Sequence, residues 1–124
     1  MKKPILTEYE ECCLLADYCR AMKITFSHLA QSTYTTSWPA KRRNGRMGVN
    51  SGVPDYIILL EKAGETKLLF CEMKRVKGGV ISDEQQKWTE KLNKVSGCMA
   101  VVCKGFEEAH NIIKGFYDRQ GMAD

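Results

Sequence analysis

No stretch of this chain approaches the ~20 consecutive apolar residues that a membrane span requires. The first residues, Met1-Lys2-Lys3-Pro4-Ile5-Leu6, lack the apolar core of a secretory signal. Both absences point to a soluble, cytoplasmic protein without a membrane partner. No Cys-x-x-Cys pair occurs among Cys12, Cys13, Cys19, Cys71, Cys98 and Cys103, most of which fall on apolar faces or runs. The spacing fits no zinc knuckle, so reduced core thiols are expected rather than a zinc site built from Cys12 or Cys13 with His28. There is no internal repeat, and 124 residues with 44% hydrophobic content leave room for one domain over 1–124, with enough core to fold alone.

Carboxylates are missing over a long stretch as well. Between Asp17 and Asp55 there is none, whereas Arg20, Lys23, Lys41, Arg42, Arg43 and Arg46 all lie there, so the net charge of +4 is spread unevenly. Such a block favours a polyanionic partner. Residues 32–51 are rich in Ser, Thr, Gly and Asn, with Trp38-Pro39 in the middle, and read as a long flexible loop. On that reading Lys41, Arg42, Arg43 and Arg46 contact backbone phosphates, and Trp38 or Tyr34 is available to stack on an exposed base.

What the chain does contain is concentrated in two short segments. Tyr56-Ile57-Ile58-Leu59-Leu60 and Lys67-Leu68-Leu69-Phe70-Cys71 are apolar runs of strand length, separated by turn chemistry at Ala63-Gly64-Glu65-Thr66. Pairing them as a β-hairpin brings Asp55, at the start of the first strand, beside Glu72, at the end of the second. Lys74 lies two residues beyond Glu72 and projects from the same face. Asp and Glu oxygens suit Mg²⁺, a hard cation that activates water and neutralises phosphoryl charge. The Met73 carbonyl is a candidate third ligand, and Lys74 is placed to orient the attacking water or stabilise developing negative charge.

The remaining elements follow from period and punctuation. Thr7 caps a helix over 7–22 with an apolar stripe at Cys12, Leu15, Cys19 and Met22, flanked by Leu14 and Tyr18. A strand is expected over 23–30, carrying Ile24 and Phe26. Ser82 or Asp83 caps a helix to about residue 95, with Trp88, Leu92 and Val95 inward. Residues 98–103 form a buried strand, and 106–117 form a last helix packed through Ala109, Ile112, Ile113 and Phe116, on which His110 reads as structural.

Pro54-Asp55 followed by Glu72-x-Lys74 resembles the PD-(D/E)XK nuclease superfamily. Gly52-Val53-Pro54-Asp55 with Glu72-Met73-Lys74-Arg75-Val76-Lys77-Gly78-Gly79 is similar to its VRR-NUC branch, in the small stand-alone form found in phage and bacteria. The similarity continues through the Gly78-Gly79 turn, Ser82, Gln85 and Trp88, and spans about residues 7–116. It implies an α/β, restriction-endonuclease-like αβββαβ core, a mixed sheet flanked by helices. It also implies a helix-borne acid at the metal site, for which Glu11 fits with Leu14, Leu15 and Tyr18 behind it, and Glu8 is the alternative one turn away. Gln85 takes a supporting role beside Lys74, with Gln86 as its alternative, and Arg75 and Lys77 join the DNA contacts. The implied activity is that of a Mg²⁺- or Mn²⁺-dependent DNA endonuclease, selective for branched DNA such as four-way junctions and acting as a homodimer. A flap, single-strand or duplex nuclease of the same fold, and a non-catalytic DNA-binding accessory protein, are the competing expectations.

Overall fold

Thr7 opens the first helix with a capping box: its hydroxyl accepts from the Glu10 N–H at 3.1 Å, and the Glu10 carboxylate accepts from the Thr7 N–H at 2.8 Å. Helix α1 runs from there over Glu8–Ala21. The computed structural model describes residues 4–29 and 37–119. Within them follow β1 (Thr25–His28), α2 (Trp38–Met47), β2 (Tyr56–Lys62), β3 (Glu65–Lys74), α3 (Asp83–Leu92), β4 (Cys98–Lys104) and α4 (Phe106–Asp118). The strands form one sheet in the order β1-β2-β3-β4, antiparallel except for the parallel β3–β4 pair. The fold is thus α/β, a mixed sheet flanked by helices, in the expected order of elements with α2 added.

Alternation along the strands sorts side chains onto two faces. Tyr56, Ile58, Leu60, Leu69, Cys71, Met73 and Cys103 point to one face, where they pack with Leu15 and Cys19 of α1 and Ala109, Ile113 and Phe116 of α4. Leu15, Ile58, Leu69 and Ile113 are fully buried there, each stabilising the fold by about 1.5–3 kcal/mol. The opposite face carries Glu72 and lies under α3, which is tied down where the Asn93 amide donates to the Ala100 carbonyl and accepts from its N–H. Because β3 and β4 run parallel, the chain must cross over between them, and α3 is that crossover.

Several expectations are corrected in detail. The hairpin turn is only Ala63-Gly64, since Lys62 pairs with Glu65; both turn residues have positive φ, 39° and 86°, as a two-residue hairpin loop requires. Strand β1 is shorter than 23–30: Met22 caps α1, Lys23 turns the chain at φ 58°, and Ala30 lies outside the described residues. Met22 and Val95 are about half exposed rather than inward, because α1 and α3 end before them. The larger correction concerns 32–51. Residues Trp38–Met47 form a helix, started by Ser37, whose hydroxyl accepts from the Ala40 N–H, by a proline in the first turn, and stopped by Gly48 in the left-handed region. These are ordinary helix boundary signals. They were masked by the absence of any apolar stripe, and no residue of α2 is buried.

Candidate active site

The hairpin register decides where the acidic residues meet. Tyr56 pairs with Cys71 as the last rung of β2, so Asp55 stands across from Glu72 on the face under α3. The Asp55 carbonyl accepts from the Leu29 N–H at 2.6 Å, fastening the start of β2 to the end of β1. Its carboxylate turns the other way, and Oδ2 accepts from the Met73 N–H at 2.9 Å. Because N–H and C=O of a strand residue leave along the same edge, the Met73 carbonyl also emerges on the Asp55 side, beyond the end of β2.

Glu72 is only 4% exposed. Its Oε2 accepts from Gln85 Nε2 at 2.7 Å and lies 3.6 Å from Lys74 Nζ. Its Oε1 is buried without a hydrogen-bond partner. An orphaned buried carboxylate oxygen is costly. Burial, first, and then the Asp55 charge push the Glu72 carboxyl up to about 7, against the lowering influence of Lys74, while Glu8 raises it further. Two acids beside one lysine leave the cluster short of positive charge.

Gln85 is oriented from both ends. Its amide oxygen accepts from the Ser82 N–H at 2.9 Å while its own N–H donates to Ser82 Oγ at 3.1 Å, completing the capping box of α3. The amide nitrogen is left to face Glu72. The Ser-x-x-Gln spacing was the sequence signal for this arrangement. Gly52, at φ 92°, brings the loop before Asp55 against the same turn: a Cβ there would stand 2.7 Å from Glu84 C and Cβ and 2.9 Å from Gln85 N. Gln86, the alternative, sits on the exposed face and bonds Glu90.

The structure sets Glu11 and Glu8 apart. Glu11 is buried, and its Oε1 accepts from the Phe106 N–H at 2.8 Å. Gly105 precedes α4 and has no side chain to cap it, so Glu11 caps that helix from α1. Its hydrogen bond thus goes to α4 and not to the Asp55–Glu72 pair. Glu8 lines an open groove with Cys12, His28 and Tyr56, and its charge reaches Glu72. Among the described residues no group of three or more His, Cys, Asp or Glu side chains converges as a metal cage. In that groove burial pushes the Cys12 thiol up to about 11, which disfavours the thiolate that zinc would need.

The VRR-NUC domain model matches residues 12–107. The chain belongs to the VRR-NUC domain family. A solved structure, described as a VRR_NUC domain protein, is 26% identical over 95% of this chain and 92% of its own, with a TM-score of 0.69. No curated protein matches the chain. The family makes this a nuclease-type, DNA-acting domain. The matched segment contains Asp55, Glu72, Met73, Lys74 and Gln85, whereas Glu8 and Glu11 precede it.

In this VRR-NUC domain the basic residues expected to contact DNA lie on two exposed segments. Lys41, Arg42, Arg43 and Arg46 stand on α2, with the Lys41 ammonium 4.9 Å from the centre of the Trp38 ring. Trp38 is 69% exposed. Tyr34 lies outside the described residues. Arg75 and Lys77 are exposed on the turn that leaves β3, directly after Lys74. No described helix is long and apolar enough to cross a membrane.

Proposed function

We propose that this VRR-NUC domain is a divalent-cation-dependent DNA endonuclease. The observation that carries this reading is the buried, unpaired Oε1 of Glu72 opposite Asp55. A hydrogen-bonded structural carboxylate would have no reason to leave that oxygen orphaned, whereas a cation ligand needs it free. Asp55, Glu72 and the Met73 carbonyl form an all-oxygen donor set suited to Mg²⁺ or Mn²⁺, with water and phosphate oxygens completing the shell. A cation bound there would neutralise charge on the phosphoryl oxygens and make water acidic enough to attack.

The chain's own residues divide the remaining work. Met73 N–H holds Asp55 and Gln85 holds Glu72, each by one oxygen, so both carboxylates are oriented before substrate arrives. Lys74, mostly buried beside Glu72, donates to the attacking water or to a non-bridging phosphoryl oxygen. Glu8 borders the site and adds negative charge to it, and Glu11 supports it indirectly by fixing α4 against α1. Lys41, Arg42, Arg43 and Arg46 on α2, with Arg75 and Lys77, grip the phosphate backbone and carry no sequence information.

The finer reading is structure-selective cleavage of branched DNA, such as four-way junctions, by a homodimer acting inside the cell from one domain spanning 1–124. A twofold assembly would present one site to each of two strands. The test is to incubate the purified chain with labelled four-way junction, flap, duplex and single-stranded DNA in Mg²⁺, Mn²⁺ or EDTA, with its mass in solution measured in parallel. Cleavage in either cation, fastest on the junction and absent in EDTA, is the expected result. Cleavage that survives EDTA would contradict the cation-dependent reading.

A further inference from the structure

A cleft of about 440 Å³ opens between the segment that leaves α2 and the outer face of α3. It is lined by Asn50, Ser51, Glu84, Lys87, Trp88 and Lys91. Glu84, Lys87, Trp88 and Lys91 recur at helical spacing and form one stripe of α3. Gln85 and Leu92 occupy the neighbouring stripe, which faces the sheet. Trp88 therefore sits at the boundary. It is half-buried, and one side of it is turned to the cleft.

We infer that this cleft is a subsite for one unpaired nucleotide next to the scissile phosphate, with Trp88 as the stacking surface and Lys87 and Lys91 as phosphate contacts. The inference rests on the nuclease reading above and deepens it. The cleft falls in the size range of small-ligand pockets, not of duplex grooves. A base inside a duplex cannot reach such a pocket without leaving its stack, so the subsite favours DNA that already carries an unpaired or easily extruded nucleotide. Two lysines against one carboxylate, Glu84, give it the sign a nucleotide needs, and Glu84 can accept from an exocyclic amino group. Aromatic stacking is tolerant of sequence because every base has a π-face. The cleft connects to the Asp55–Glu72 cluster through a short run of contacts: Ser51, in its lining, leads into Gly52, which packs on Glu84 and Gln85, and Gln85 holds Glu72.

The full chain labelled with 5-fluorotryptophan has two fluorine resonances, from Trp38 and Trp88, assigned by Trp38→Phe. Titration with hexathymidylate should shift the Trp88 resonance, and a blunt duplex of equal length should not. The exposed pair Lys87→Glu with Lys91→Glu should raise the half-saturating oligonucleotide concentration about tenfold or more. A Trp88 resonance that stays still while fluorescence anisotropy shows the oligonucleotide bound, or that moves equally with blunt duplex, would overturn the subsite. Cation-dependent cleavage of a flap by the wild type is scored separately, so the nuclease reading can fail or stand independently of the subsite.

Discussion

Gln85 uses one amide to close the cap of α3 and to hold Glu72: its oxygen accepts from Ser82 N–H, and its nitrogen donates to Glu72 Oε2 at 2.7 Å. The two roles separate by substitution. Gln85→Glu keeps the capping box, because glutamate is equally good at that position, but sets a carboxylate against a buried carboxylate. It should leave helix content by circular dichroism unchanged, lower stability by about 1–3 kcal/mol above neutral pH, and reduce cleavage at least tenfold. Unchanged cleavage would show that the Glu72 contact is irrelevant to chemistry.

Glu72 gives the protein a signed pH dependence. Its carboxyl is raised from the ordinary glutamate value of 4.5 to about 7, chiefly by burial and then by Asp55. The folded state therefore binds more protons than the unfolded state between those values, so stability falls as pH rises through that window. The penalty is complete above it and absent below. Glu72→Gln should raise stability at pH 8 by roughly 1–3 kcal/mol, with no gain at pH 4, as thermal melts can show. Added Mg²⁺ or Mn²⁺ should raise the wild-type melting temperature at pH 8 but not that of the variant.

The contact between Gly52 and α3 is a steric requirement. Gly52→Ala would force a Cβ to 2.7 Å from Glu84 at a φ of 92°, which α3 can relieve only by moving Gln85. The expected cost is about 1–3 kcal/mol in urea unfolding, with a fall in cleavage larger than that loss of folded protein explains. Wild-type cleavage in this variant would show that the site tolerates the shift.

Glu11 and Glu8 should behave oppositely. Glu11→Ala leaves the Phe106 N–H at the start of α4 without its partner and should cost about 1–3 kcal/mol of stability. Glu8→Ala, at an exposed position, should leave the melting temperature unchanged and alter the cation concentration needed for half-maximal cleavage. The reverse pattern would return Glu11 to the metal site.

How much of this was legible beforehand depends on whether a feature is local. The strands could be read because Tyr56-Ile57-Ile58-Leu59-Leu60 and Leu68-Leu69-Phe70-Cys71 are uninterrupted apolar runs, and their pairing followed from one turn. That pairing alone brings Asp55 to Glu72. Helix α2 was hidden because it buries nothing, so only its boundary residues, Ser37, Pro39 and Gly48, mark it. The role of Glu11 could not be read because its partner, the Phe106 N–H, is 95 residues away. Trp88 was read simply as inward because period identifies a face but not how deeply that face is covered. The orphaned Glu72 Oε1 needs the packing of three segments, and no sequence pattern reports it.

The central claim is that Asp55, Glu72 and Lys74 perform chemistry on DNA and do not merely accompany its binding. The most direct measurement compares wild type, Asp55→Asn and Lys74→Ala for cleavage and for equilibrium binding of the same labelled four-way junction, with cleavage in Mg²⁺ and binding in EDTA. Asp55→Asn retains an acceptor for the Met73 N–H, so its fold should survive. The expected result is cation-dependent cleavage by the wild type, cleavage reduced by about a hundredfold or more in both variants, and junction binding within a few-fold of wild type. Cleavage that persists in both variants, or a wild type that binds the junction and cleaves nothing in either cation, would contradict it.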